Sequence, residues 1–283
     1  MHPLGRSNAR RMETDPPPSN AAPPMGGPHR SPPPAAPYSY EHEYSNARPH
    51  RIAPPRRSWL GRILRVLIVI ALIPVVLVPL YIVVPPVSTL MIWRWVTFQR
   101  VERHWVPLSR ISPDLIRAVI GGEDARFCTH RGVDWRELLS VIEDADDLGD
   151  LSFSRGASTI PMQTAKNLFL WPGRQYVRKV IEIPLALYMD LVWSKPRMLE
   201  IYLNIAEWGP SGEFGVEAGA RRAFNKSADE LSSQEAYLLA GALPNPILYN
   251  PGRPGPRLRA AATKRSARAQ SLGSRGDCVL QGR

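Results

Sequence analysis

The segment Ser112-Pro113-Asp114-Leu115-Ile116-Arg117-Ala118-Val119-Ile120-Gly121-Gly122-Glu123-Asp124 carries a helix signal and a chemical one together. Ser112 is an N-cap residue, Pro113 suits the first helical position and Asp114 puts an acid in the first turn, while Leu115, Ile116, Val119 and Ile120 recur with helical spacing. The helix is expected to end at the paired glycines, which leaves Glu123 and Asp124 on a rigid element at the edge of a cleft. Downstream, an amphipathic run covers Val177 to Trp193, and Ser194 caps a further helix through Leu203. The pairs Ser227/Glu230 and Ser232/Glu235 read as capping boxes ahead of the apolar face of Leu238 to Leu243. Alternating strand patterns are scarce and no internal repeat is present, so residues 96–252 read as a mainly α domain.

Upstream of that domain, no charged residue occurs from Val66 to Trp93, a run of 28. At ~1.5 Å per residue, about 20 apolar residues cross the ~30 Å hydrocarbon core of a bilayer, so residues 63–86 are expected to be one N-terminal transmembrane helix. Pro74 and Pro79 lie within it, which a membrane helix tolerates better than a soluble one. A cleaved signal peptide fits poorly, because the apolar run starts far into the chain and no Ala-x-Ala-like site follows it. Arg51, Arg56, Arg57, Arg62 and Arg65 crowd the N-terminal flank. The positive-inside rule then puts the N-terminus in the cytoplasm and the helical domain on the periplasmic side of the cytoplasmic (inner) membrane.

Residues 1–57 hold 14 of the 30 prolines and are expected to be a disordered cytoplasmic tail. Pro16 to Pro18 and Pro32 to Pro34 could dock as polyproline II ligands on another protein, although low-complexity tails look this way by default. Residues 253–283 read as a flexible basic tail. The net charge of +11 sits in these two segments: 58–252 carries 20 basic and 20 acidic groups, against 8 and 4 before it and 8 and 1 after it. A neutral folded part argues against a nucleic-acid partner, which needs its basic patch on the domain. Cys128 and Cys278 are too few for a disulfide scaffold and lack metal-site spacing; whether they pair stays open.

Glu182, in Arg178-Lys179-Val180-Ile181-Glu182-Ile183-Pro184, is a second acid one turn beyond Arg178 and flanked by apolar side chains. Two acids in a helical domain point to sugar chemistry, although any single Glu is more often a solvated surface charge. Between them, Gly156-Ala157-Ser158-Thr159-Ile160-Pro161-Met162-Gln163 could offer backbone and hydroxyl donors to phosphate oxygens, with Lys166, Arg174, Arg178 and Lys179 supplying charge. The spacing is not that of a P-loop.

Five segments in order resemble the motifs of the family 51 peptidoglycan glycosyltransferases. They are Glu123-Asp124-x-x-Phe127-x-x-His130-x-Gly132, Gly156-x-Ser158-Thr159-Ile160-x-x-Gln163, Arg178-Lys179-x-x-Glu182, Lys195-x-x-Met198-Leu199-Glu200-x-Tyr202-Leu203-Asn204 and Glu235-Ala236-x-x-Leu239-Ala240-x-Leu243-Pro244-Asn245-Pro246. Ala157, Pro161 and Met198 depart from the usual pattern; Pro161 removes a donor and a hydroxyl beside the phosphate loop. Asn204-Ile205-Ala206-Glu207-Trp208-Gly209 and Leu170-Trp171-Pro172-Gly173-Arg174 are similar to the monofunctional branch, which lacks a transpeptidase. Only a short stretch follows the last motif, and no Ser-x-x-Lys occurs, in keeping with that branch.

The resemblance implies a lysozyme-like fold and polymerisation of lipid II onto a lipid-linked glycan chain at the membrane, in company with other cell-wall synthesis or division proteins. It assigns Glu123 and Glu182 as catalytic, and Asp124, Ser158, Thr159, Gln163, Lys166, Arg174, Arg178 and Lys179 as substrate-binding. No cofactor is implied beyond a divalent cation, Mg or Mn, at Glu182, whose other role is to orient the basic groups. His130 is the alternative base, though packing suits it better; Glu200 and Asn204 look structural. A lytic, lysozyme-type enzyme or an inactive membrane-anchored adaptor are the competing readings, but neither needs both acids and the anion-binding set. For the topology, protease added to spheroplasts is expected to digest the C-terminal domain and spare an N-terminal tag; the opposite pattern reverses the orientation.

Overall fold

The computed structural model describes residues 59–143, 158–171 and 175–281, together with Ser31. The rest of the Pro-rich segment 1–57, and Gly156, Ala157 and Arg174, lie outside the described residues. Ten α-helices occur among those described: α1 (Trp59–Leu80), α2 (Thr89–Val96), α3 (Pro113–Glu123), α4 (Trp135–Glu143), α5 (Ile160–Phe169), α6 (Gln175–Val192), α7 (Lys195–Ile205), α8 (Val216–Phe224), α9 (Ser233–Ala242) and α10 (Pro256–Leu272). The strand content is one parallel pair, β1 (Glu102–Arg103) with β2 (Glu213–Phe214). The fold is the mainly helical, lysozyme-like one expected.

Ser194 begins the central helix, accepting the Arg197 N–H, and Pro196 follows in the first turn, where its missing donor costs nothing. From Met198 to Ile205 only Glu200 escapes full burial, so α7 is surrounded by other elements, each apolar side chain contributing about 1.5–3 kcal/mol. Glu200 and Asn204 of this stretch are satisfied within the frame. Asn204 Oδ1 accepts the Val106 N–H and its Nδ2 donates to Val106 O, while Glu200 Oε2 accepts the Leu108 N–H. Both therefore tie the incoming chain to the core.

Local signals succeed where the backbone can answer them. The Ser232/Glu235 capping box forms at the start of α9. At Ser227/Glu230 the same pattern closes a turn instead: Glu230 accepts the Ser227 N–H, and the Glu230 N–H returns to Ser227 O. Ser112 precedes α3 without capping it; its own N–H donates to Ala228 O. Nor does α3 stop at the glycines, since it runs through Gly121 and Gly122 to Glu123, with Asp124 as C-cap. A Cβ at Gly121 would lie 3.0 Å from the Arg268 carbonyl carbon, so this residue lets α10 approach closely.

Two boundaries need correction. The apolar helix α1 spans 22 residues and ends at Leu80, short of residue 86; it is long and apolar enough to cross a bilayer, and Val78 is its only buried residue. Pro79 has no N–H to give Val75 O, and that carbonyl accepts the Tyr188 hydroxyl of α6 at 3.0 Å; Trp193 Nε1 serves Val78 O at 2.7 Å. The second correction concerns 253–283, which is no flexible tail in its described part. In α10, Leu258, Ala262, Arg265, Ala269 and Leu272 form one buried stripe against α3 and α9. A 3₁₀ segment, Gly273–Val279, follows, and Cys278 is disulfide-bonded to Cys128, just beyond α3. Loss of this bond, which closes a loop of about 150 residues, is expected to cost about 2–5 kcal/mol, read as a lower denaturation midpoint for Cys278→Ser.

Candidate active site

The last residue of α3, the start of α5 and the first half of α6 enclose a cleft of about 700 Å³, closed on its far side by α10 and the segment after it. Of the ten residues assigned from sequence, nine line it: Glu123, Asp124, Ser158, Thr159, Gln163, Lys166, Arg178, Lys179 and Glu182. Arg174, the tenth, lies outside the described residues.

At the centre is Glu123, with a donor on each carboxylate oxygen. Gln163 Nε2 donates to Oε2 at 3.0 Å, and Arg265 Nη2 to Oε1 at 2.5 Å. The Tyr202 hydroxyl of α7 donates in turn to Gln163 Oε1 at 2.9 Å. Burial drives the Tyr202 pKa well above 10, so its phenol keeps its proton. A carboxylate only accepts, so the polarity of the whole relay is set: Tyr202 to Gln163 to Glu123. Gln163 therefore bridges Tyr202 and Glu123 from the cleft wall.

Asp124, also at the cleft wall, makes contacts within the protein. It accepts the Ile160 N–H at 2.9 Å, and His130 Nε2 lies 2.9 Å from both its oxygens. The carboxylate thus anchors the N-terminus of α5, where a negative charge is favoured by the helix dipole. Thr159 completes the joint, accepting the Met162 N–H as N-cap and donating to Gly132 O at 2.7 Å. His130 is spent on Asp124, packs edge-on against Phe127 and does not line the cleft. Pro161 falls in the first turn of α5, where a backbone donor has no helical partner to lose.

Across the cleft, α6 presents Arg178, Lys179 and Glu182. Arg178 Nε donates to Glu182 Oε1 at 2.6 Å, one turn on, and Glu182 is almost fully buried. Lys166 on α5 completes the set. Burial first, then the neighbouring Arg178, lowers the Lys166 pKa below 10.5, although Glu182 and Glu123 oppose the shift. Lys179 is lowered for the same leading reason, with Glu182 working against it. Lys166, Arg178 and Lys179 thus line the cleft around the buried Glu182 carboxylate, a setting chemically suited to an anionic group. A divalent cation does not suit this corner. Glu182 is already paired and ringed by positive charge, and no group of three potential ligands occurs among the described residues.

Sequence reasoning missed Tyr202 and the contributions of α10 and its sequel: Arg265 on Glu123, and Arg268 and Arg275 on the cleft wall. The stripe Leu258-Ala262-Arg265-Ala269-Leu272 was the available signal, hidden under a basic composition. Arg126 also lines the cleft, engaged with Asp134 through two hydrogen bonds.

Comparison with known proteins follows the same outline. A family model described as Transglycosylase matches residues 91–272, ending at the last residue of α10. A protein of Nitrobacter winogradskyi named biosynthetic peptidoglycan transglycosylase is 53% identical over 205 residues, 72% of this chain and 89% of that protein. Proteins of the same name from Rhodopseudomonas palustris (strain HaA2) and Agrobacterium fabrum are 51% and 49% identical over 216 and 226 residues. They cover 75% and 79% of this chain, and 94% and 98% of their own lengths.

The depressed lysines make a signed prediction. Only the ammonium attracts an anion, so affinity for inorganic pyrophosphate is expected to fall as pH rises through a midpoint below 10.5, earlier than for an ordinary lysine. Lys166→Ala should weaken binding at neutral pH and flatten the fall, by calorimetric titration. Folding stability moves the other way, rising with pH between the folded and unfolded pKa values, because there the unfolded chain holds more protons.

Proposed function

Because the chain belongs to the transglycosylase family and is a peptidoglycan glycosyltransferase, we propose that it polymerises lipid II at the outer face of the cytoplasmic membrane, without transpeptidase activity. The observation that carries this reading is the placement of the held carboxylate Glu123 in one cleft with the cation-rich corner of Lys166, Arg178 and Lys179. A glycan hydrolase has use for the acid but none for the anion corner, since its substrate has no phosphate.

In this reading the pyrophosphate of the lipid-linked donor lies against Lys166, Arg178 and Lys179, with Ser158 beside them. The 4-hydroxyl of the acceptor GlcNAc attacks the donor's anomeric carbon while its proton passes to Glu123. The carbon–oxygen bond to pyrophosphate breaks as the new glycosidic bond forms, inverting α to β and releasing undecaprenyl pyrophosphate. A sugar hydroxyl is a poor nucleophile at neutral pH, so the positioned base lowers the barrier. The leaving group gathers negative charge as it departs, and the basic corner stabilises that charge. Glu182, held by Arg178, orients the guanidinium; no step is routed through a metal. The span α1 is read as the membrane anchor, with exposed Trp93 and Trp95 just beyond it as interfacial side chains.

Purified full-length protein with labelled lipid II in detergent is expected to yield polymer. Glu123→Gln, nearly isosteric but unable to take the proton, should cut the rate by ~10²- to 10⁴-fold with the fold intact. Activity within about threefold of wild type would move the base elsewhere. Release of muropeptides from glycan strands lacking the lipid would replace polymerisation with cleavage.

A further inference from the structure

We propose that Arg265, on the C-terminal helix α10, is a positioning residue for Glu123: it locks the carboxylate from the protein side and so sets the rate of transfer without touching substrate. The inference rests on Glu123 being the base. Arg265 Nη2 meets Glu123 Oε1 at 2.5 Å across 142 positions of sequence. Its side chain is only 9% exposed and is not among the cleft-lining groups.

Stability alone does not explain an arginine here. The buried stripe of α10 is otherwise Leu258, Ala262, Ala269 and Leu272, and an apolar residue in place of a buried ion pair is often neutral or stabilising. Moreover, Arg265 Nη1 is buried with no hydrogen-bond partner among the described residues, a cost borne for one carboxylate contact. The neighbouring helix is shaped to admit it. A Cβ on Gly122, the residue before the base, would lie 1.5 Å from Nη1 and 2.4 Å from Cδ. The disulfide between Cys128 and Cys278 then fastens the segment beyond α10 to the loop that leaves Glu123, holding the pair in register.

The charged and polar groups facing Glu123 each have a distinct task. Lys166 of α5 acts on it through space, Asp124 of α3 is engaged by His130, and Tyr202 of α7 reaches it only through Gln163. Arg265 is left as the one direct ionic contact among the described residues. With one oxygen fixed by Arg265 and the other by Gln163, the carboxylate plane cannot turn, and Oε2 keeps a lone pair for the incoming proton. Loss of Arg265 frees that rotation. It should act on the chemical step, because substrate groups bound in the cleft keep their partners.

The test is steady-state polymerisation of labelled lipid II by full-length protein in detergent. Arg265→Met is expected to lower kcat by about 10- to 100-fold with KM within about threefold, and Arg265→Lys to recover a substantial part of that loss. If Arg265→Met does not fold, Arg265→Gln is read by the same criteria. A kcat within about threefold of wild type, or Met and Lys variants equally impaired with KM raised in step, overturns the proposal. The pairing is also read without activity. Arg265→Met should lower Tm in the wild-type background and much less in Glu123→Gln; equal losses in both overturn it. Coupling in Tm with no polymer from wild type would count against the lipid II reading, not the pairing.

Discussion

One carboxylate organises this domain. Glu123 ends α3, receives Gln163 from α5 and Arg265 from α10, and is joined to the central helix α7 through Tyr202. Four helices far apart in sequence thus converge on two oxygen atoms. A largely desolvated acid left without donors is costly, so the helices do not separate cheaply once the charge is in place. The same constraint explains the glycines before the acid: Gly121 lets the α10 backbone close in, and Gly122 leaves the volume that the guanidinium fills. Asp124, one residue on, fixes the direction of α5 by taking its first N–H, which points Gln163 and Lys166 into the cleft from the same helix.

Across the cleft from this anchored negative charge, Lys166, Arg178 and Lys179 gather around the buried Glu182 carboxylate, and desolvation lowers the pKa of both lysines. An anion bound there would favour the ammonium forms that burial disfavours. The salt bridge from Glu182 within α6 holds the Arg178 guanidinium one helical turn away.

Much of this was legible in local sequence, where the physics is local. Helix starts at Ser194 and Ser232 followed from caps, and the ordered motifs contain eight of the nine assigned residues that line the cleft, Lys166 lying outside them. What failed did so for identifiable reasons. Ser227/Glu230 has the capping-box spacing but no apolar run directly behind it, so the pair closes a turn. That Asp124 also holds the start of α5 and Gln163 also holds Glu123 could not be read from residue type, because such side chains look alike whether they touch a ligand or another residue. The largest miss was α10, judged by arginine content although five residues at helical spacing marked its buried face. No local pattern could show that Arg265 meets an acid 142 residues earlier, or that Cys128 and Cys278 pair across 150.

The apolar helix α1 and the cleft are also joined through α6. Tyr188 and Trp193 at its C-terminal end hold the last carbonyls of α1, while Arg178, Lys179 and Glu182 occupy its N-terminal half. Ten residues separate Arg178 from Tyr188, which at ~1.5 Å per residue is about 15 Å of helix, with Pro184 between them. The cation-lined part of the cleft is thereby tied to the C-terminal end of α1 through a single helix. Pro79 is part of that geometry. By withholding its N–H it leaves Val75 O free to bind Tyr188, so a residue that weakens the helix in isolation is what couples the span to the catalytic domain.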